Sequence, residues 1–329
     1  MKIKRAFTKL KKISEMPRNF TMTGIDQMMR FYYHSSASLK EDNIELVCRE
    51  LRILTHTIEK GMALPKIRKG FGKEKIKKIL ELMDKYISIQ NSEYDQEAFD
   101  YAYAILEKYI DNATENECDI SFIDLNKYHN YKKNQIEFCG TEIFDSQKLL
   151  SQIDSMNFEE FAKNRHSVRD FAVDTVDESI IRKAVELAQT APSACNRQST
   201  RVHYIQNRDI CKNVLDLQGG AKGHTVSSVI VLTSELSLYR HTSEFKTPYL
   251  DSGIYLMNLL YALTYYGIGT CPLIWNDDDG EKAEEIRRLV DIPWSEQIVA
   301  IIQVGHYATN ECKYAASNRR AVFDVLKIH

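Results

Sequence analysis

Arg165-His166-Ser167-Val168-Arg169 and, about one helix later, Ala191-Pro192-Ser193-Ala194-Cys195-Asn196-Arg197-Gln198 decide how this chain is read. The two stretches put cationic forks and short polar groups on separate turns. Arg165 and Arg169 can each grip a phosphate through a bidentate, charge-assisted fork. Ser167, Ser193, Asn196 and Gln198 offer donors and acceptors to a polyol chain and to the edge of a heteroaromatic ring. Such a division suits a large anionic cofactor. Helix signals flank both turns. Asn157 with Glu160 reads as a capping box opening a short helix with Phe158, Phe161 and Ala162. Thr175 with Glu178 opens a second, with Ile180, Ile181, Ala184, Val185 and Ala188, which Pro192 stops. Taken singly, Arg165 and Arg169 would pass for a solvated surface pair and Pro192-Ser193 for a plain helix stop.

Further along, Val299–Val304 is a strand-like apolar run ended by Gly305-His306-Tyr307, and the basic segment Ser317-Asn318-Arg319-Arg320 follows. Asp251–Tyr266 is apolar on nearly every side and closes at Gly267, so as a helix it must be buried all round. It falls short of the roughly 20 apolar residues a membrane span needs, and Asp251 and Asn258 interrupt it. Gly267-Ile268-Gly269 is no dinucleotide fingerprint, because a third glycine is missing and the pair follows a helix and opens a strand. Gly219-Gly220-Ala221-Lys222-Gly223 lacks the spacing of a phosphate loop and reads as a mobile turn near the substrate, before a strand Val226–Thr233. Other strands are expected at Val202–Ile205, Thr270–Ile274 and Ile298–Val304, with a helix at Gly280–Val290.

Together, the two turns and the C-terminal basic segment resemble the nitroreductase family of FMN-dependent oxidoreductases, over about residues 155–329. The resemblance implies an α+β fold, with a central, mostly antiparallel sheet and helices on both faces. It also implies a homodimer whose interface contains both flavin sites, with Asp251–Tyr266 as the long helix through which subunits pair. FMN would be held by Arg165, His166, Ser167, Arg169, Pro192, Ser193, Ala194, Asn196, Gln198, Pro272, Leu273, Ile274 and Arg319. Arg319 would reach the phosphate with Arg320 a lesser contributor, and a backbone N–H, from Ile274, would meet the hydride-accepting nitrogen. NADH or NADPH would be the co-substrate, and a nitroaromatic, quinone or related small acceptor would take the hydride in ping-pong fashion. The cofactor carries that chemistry, so no catalytic acid or base side chain is required, and His166 is assigned to binding. Two places depart from the family pattern: Ser317 stands where many members carry a second cation, and Ser199-Thr200 where many carry Pro and an aromatic residue. Fold and cofactor leave two rivals open, an FMN-dependent dehydrogenase or oxidase of a biosynthetic intermediate and a flavin-binding accessory protein with vestigial turnover.

With 329 residues, 43% hydrophobic and 27% charged, the chain can bury at least one substantial core and divides into residues 1–150 and an FMN-binding domain at 151–329. The first region reads as mainly helical. Leu46, Val47, Leu51, Leu54 and Ile58 recur at helical spacing, as do Ile76, Ile79, Leu80 and Met83, and a third helix covers roughly Gln96–Ile110. His56, Glu59 and Lys60 share one turn that can move protons, bind a polar substrate, or simply be an exposed face. The region is expected to pack on the flavin domain and narrow access to the ring. A net charge of −2 exerts no global pull on nucleic acid or anionic lipid, and no membrane span is expected. Met1–Lys12 is basic with no apolar run after it, a solvated terminus rather than a secretory signal. Seven cysteines without a Cys-x-x-Cys pair fit a reducing cytoplasm better than a disulfide framework, and argue against a structural zinc site. Cys195 and Cys271 read as small packing groups, not nucleophiles.

Overall fold

The computed structural model describes residues 25, 43–68, 70–89, 95–131, 134, 136, 139–239, 244–275 and 280–329. The basic segment Met1–Lys12 lies outside them. Helix α1 (Ile44–Met62) starts where the Asn43 side chain accepts from the N–H groups of Glu45 and Leu46. Its apolar stripe, Val47, Leu51, Ile58 and Met62, is buried against α2 (Lys73–Ser88) and α3 (Gln96–Glu115). Tyr86 and Phe99 stack inside this core with ring centroids 5.0 Å apart. The short helix α4 (Leu125–His129) adds Tyr128 to the same core.

A strand that the periodicity does not announce comes next. β1 (Thr141–Asp145) pairs antiparallel with β6 (Glu311–Ala315), Phe144 lying opposite Cys312, so the helical region is joined to the far end of the chain. After β1 come α5 (Ser146–Gln152) and α6 (Phe158–Asn164). The capping box of Asn157 and Glu160 is present in full.

Helix α7 (Glu178–Ala188) corrects one expectation: its cap is Asp177, whose carboxylate accepts from Ser179 N, and not Thr175. The reason is local. The first helical residue is Glu178, so Asp177 alone stands at the cap position.

The main sheet runs in the order β2 (Thr200–Ile205), β3 (Ser228–Glu235), β5 (Glu296–Gly305), β4 (Gly269–Ile274), every neighbouring pair antiparallel. β3 and β5 are central and buried on both faces, which is why they read as continuous apolar runs. Ile230, Leu232, Ile302 and Val304 point to one layer, with Ile181 and Ala184 of α7 and Leu259 and Leu263 of α9 (Thr247–Tyr265). Val229, Val231, Ile298 and Ile301 face the other, against Val214 of α8 (Arg208–Gln218) and Ile286 of α10 (Gly280–Val290). The α+β expectation holds: an antiparallel sheet with helices on both faces, preceded by a helical region.

Helix α9 differs from its reading in one respect. Leu250 is 63% exposed, Ile254 39% and Met257 37%, so in a single chain the helix is not buried all round. One side packs on the sheet and α7; nothing in the same chain covers the other among the described residues. Also among them, no helix is long and apolar enough to cross a membrane.

Candidate functional site

The first turn forms the wall of a cavity of about 610 Å³, lined by Arg165, His166, Ser167, Arg169 and Arg319, with His56 entering from α1. The segment leaves α6 extended and runs beside edge strand β4, Val168 N donating to Thr270 O at 2.8 Å. Val168 anchors it in a small cluster with Phe171 and Cys271. Gly305, at the end of β5, permits this approach: a Cβ there would lie 2.6 Å from Ser227 Oγ and 3.0 Å from the Phe171 ring.

The charges of this cavity are unbalanced. Arg165 Nη1 is buried with no hydrogen-bond partner among the described residues. Burial, then the nearby Arg319, holds this guanidinium below the ordinary arginine value. Arg169 is 6% exposed, and among the described residues its Nη1 meets the Ser167 carbonyl alone, at 3.2 Å. Arg319 donates to Ser317 O at 2.8 Å and pairs with no carboxylate among the described residues. Burial, then Arg169, lowers Lys60. A buried cationic donor left unsatisfied costs at least roughly 1–3 kcal/mol, so the arrangement calls for an anion. His166 adds no charge at neutral pH. It stacks on Tyr314 at 3.6 Å between ring centroids, and burial, then Arg165 and Arg319, pushes its pKa down to about 4. It therefore serves as a neutral hydrogen-bonding group.

The second turn is built differently. Pro192, Ser193 and Gln198 line a separate cavity of about 740 Å³ together with Asp251 and Tyr255 of α9. Cys195, Asn196 and Gln198 have φ of 53°, 54° and 52°, left-handed values that a non-glycine residue keeps only when its surroundings hold it there, at about 1–3 kcal/mol each. What holds them is Asp251, 4% exposed, which accepts from Ala194 N and from Tyr239 Oη, each at 3.0 Å. Ser193 Oγ accepts from Gln198 N at 3.0 Å. Ser199, one of the two departures from the family pattern, is fully buried and meets Tyr239 Oη at 2.6 Å and Ser234 Oγ at 3.0 Å. Asp251 and Tyr239 were not among the expected site residues. A carboxylate inside an otherwise apolar helix was the available signal for the first.

Within one chain, then, the two turns face different cavities. Pro272, Leu273 and Ile274 close edge strand β4, with Ile274 74% exposed and its carbonyl accepting from Gln218 Nε2 at 2.8 Å. Arg320 turns away to Asp95, at 3.5 Å. The Gly219–Gly223 turn lies against the segment after α1, since a Cβ on Gly223 would come within 3.0 Å of Leu64. His56, Glu59 and Lys60 do not form an exposed face, because Glu59 has no solvent exposure.

The nitroreductase family model matches residues 162–222 and 221–306. A protein of Methanothermobacter thermautotrophicus, named provisionally as an NADH dehydrogenase/NAD(P)H nitroreductase, is 25% identical over 181 residues, 54% of this chain and 88% of that protein. Among solved structures, a nitroreductase family protein of Streptococcus pneumoniae has a TM-score of 0.45 at 21% identity, covering 53% of this chain and all (100%) of that one. A nitroreductase-like protein of Streptococcus mutans also reaches 0.45 at 21% identity, over 52% and 98%. The helices α1–α4 precede the matched residues. Between residues 162 and 306 the chain is thus similar to the nitroreductase family, and a helical region that the family model does not reach precedes that stretch.

Proposed function

We propose that the protein is an FMN-dependent oxidoreductase acting as a homodimer. The observation that carries this reading is the unpartnered Arg165 guanidinium beside Arg169 and Arg319, a cationic cavity suited to a dianionic phosphate. Arg165 and Arg319 hold the phosphate, Ser167 and neutral His166 add hydrogen bonds, and Ser193, Ala194, Asn196 and Gln198 take the polyol and ring edge. Pro192, Pro272, Leu273 and Ile274 would border the ring, with the backbone N–H of Ile274 available to its reactive nitrogen. Bound FMN would supply hydride transfer from NADH or NADPH to a nitroaromatic, quinone or related acceptor. The dimer reading is supported by the apolar side chains Leu250, Ile254 and Met257 left exposed on α9, and by Val322, Phe323 and Val325 near the C-terminus. In this reading a flavin site takes its cationic cavity from one protomer and its Pro192–Gln198 turn from the partner.

The test is stopped-flow mixing of the flavin-loaded protein with NADH and NADPH, combined with sedimentation. Rapid bleaching of a yellow dimer is expected. Bleaching only by another metabolite would instead indicate a dehydrogenase or oxidase, and no reduction by either would indicate an accessory role. A stable flavin-loaded monomer would refute the dimer.

A further inference from the structure

Ser317 occupies the place where a second cation would be expected, and the group beside it in the cavity comes from outside the family match: His56 of α1. His56 Nδ1 lies 3.0 Å from Glu59 Oε2, and Glu59 Oε1 accepts from Ser317 N at 3.1 Å. The Glu59 side chain is 0% exposed and that of His56 41%. One buried carboxylate thus holds both the histidine and the loop that carries Arg319. By accepting from Nδ1–H, Glu59 fixes the orientation of the ring. His56 Nε2 makes no hydrogen bond among the described residues.

We propose that His56 is a further FMN-phosphate ligand, its Nε2 turned to the phosphate beside Arg165 and Arg319, in place of the second cation that Ser317 does not supply. Glu59 is its positioning residue. The proposal rests on the FMN reading above. The other charged or titratable groups lining the cavity are Arg165, His166, Arg169, Arg319, Lys163 and Glu159. The one carboxylate among them, Glu159, is paired with Lys163 at 2.5 Å, so it does not compete for His56. The helical region is in this view part of the cofactor site, rather than only a wall that narrows access to the ring.

A cation at the phosphate end discriminates FMN from riboflavin, whereas a residue facing the acceptor does not. The full-length, flavin-free protein is therefore titrated with FMN and with riboflavin at fixed pH, following flavin fluorescence, as wild type and as His56→Ala. The FMN Kd is expected to rise about tenfold, the loss of one charge-assisted bond, with the riboflavin Kd unchanged. Equal changes for both flavins, or no change for either, would overturn the role of His56. A wild-type protein that binds neither flavin would instead refute the FMN reading itself. Glu59→Gln keeps one acceptor oxygen but replaces the other with an amide donor and removes the charge, and should lower the FMN-over-riboflavin preference by a smaller factor. An unchanged preference would overturn the part assigned to Glu59.

Discussion

The two cavities contrast in how they are completed. The Arg165–Arg169 cavity is closed within one chain by Arg319 from the C-terminal segment and His56 from α1, and its three arginines have no carboxylate partner among the described residues. The Pro192–Gln198 turn has its backbone strain absorbed by Asp251, Tyr239 and Ser199, yet its polar side chains face a cavity without that cationic surplus. The first supplies electrostatic binding; the second supplies shape held at a conformational cost. A ligand that uses both needs either movement within the chain or a second chain, and the exposed apolar side of α9 favours the second chain.

The largest effect should separate the cavities by charge. Replacing Arg165 and Arg319 by Ala is expected to weaken FMN by roughly 3–6 kcal/mol in total, enough to purify the protein colourless. Ser193→Ala should cost about 0.5–1.5 kcal/mol, a loss visible only by titration. Comparable losses would erase the contrast.

Next comes the support of the second turn. Asp251→Ala removes a buried acceptor of two hydrogen bonds, and is expected to lower the unfolding free energy by about 2–4 kcal/mol in denaturant titration. An effect below about 0.5 kcal/mol, the usual size for a surface change, would mean that the turn holds itself.

A third comparison uses pH. In the folded protein, burial lowers the pKa values of His166 and His224 to about 4. The unfolded chain therefore binds more protons between about pH 6.5 and 4, and the neutral histidines stabilise the fold fully above pH 6.5 and lose that contribution as the pH falls toward 4. Each contributes up to roughly 3 kcal/mol. His224→Asn should flatten the acid limb of the melting temperature of the flavin-free protein; an unaltered slope would contradict the assignment. A smaller effect still is expected at the helix caps. Asp177→Ala should cost about 1 kcal/mol of stability and Thr175→Ala almost nothing.

What was legible in the sequence follows from the strength of local patterning. Val229–Leu232 and Ile298–Val304 sit at the centre of the sheet and have to be apolar on both faces, so their runs stand out. The Asn157 box and the Gly280–Val290 helix carry their signals within a few residues. The β1–β6 ribbon was not legible, because β1 is only five residues long with its apolar Ile143 exposed, and β6 alternates over too few positions to stand out. Nor was the burial of Glu59, whose partner Ser317 lies 258 residues away. That pairing can be probed with a truncated chain beginning near Ser151. It would lack β1, leaving β6 without its partner, and would lack His56 and Glu59. Loss of flavin from it would reflect a damaged cofactor site, while retention with wild-type acceptor preference would speak against both the lid and the phosphate roles.

The most direct measurement is complementation between two defective chains. One carries Arg165→Ala with Arg319→Ala, the other Asn196→Ala with Gln198→Ala, and differently tagged copies are isolated as mixed dimers and titrated with FMN. If each flavin site takes its cationic cavity from one protomer and its second turn from the partner, every mixed dimer regains one intact site. High-affinity FMN binding at one site per mixed dimer is the expected result. Mixed dimers that bind no better than either parent would contradict a site shared between chains.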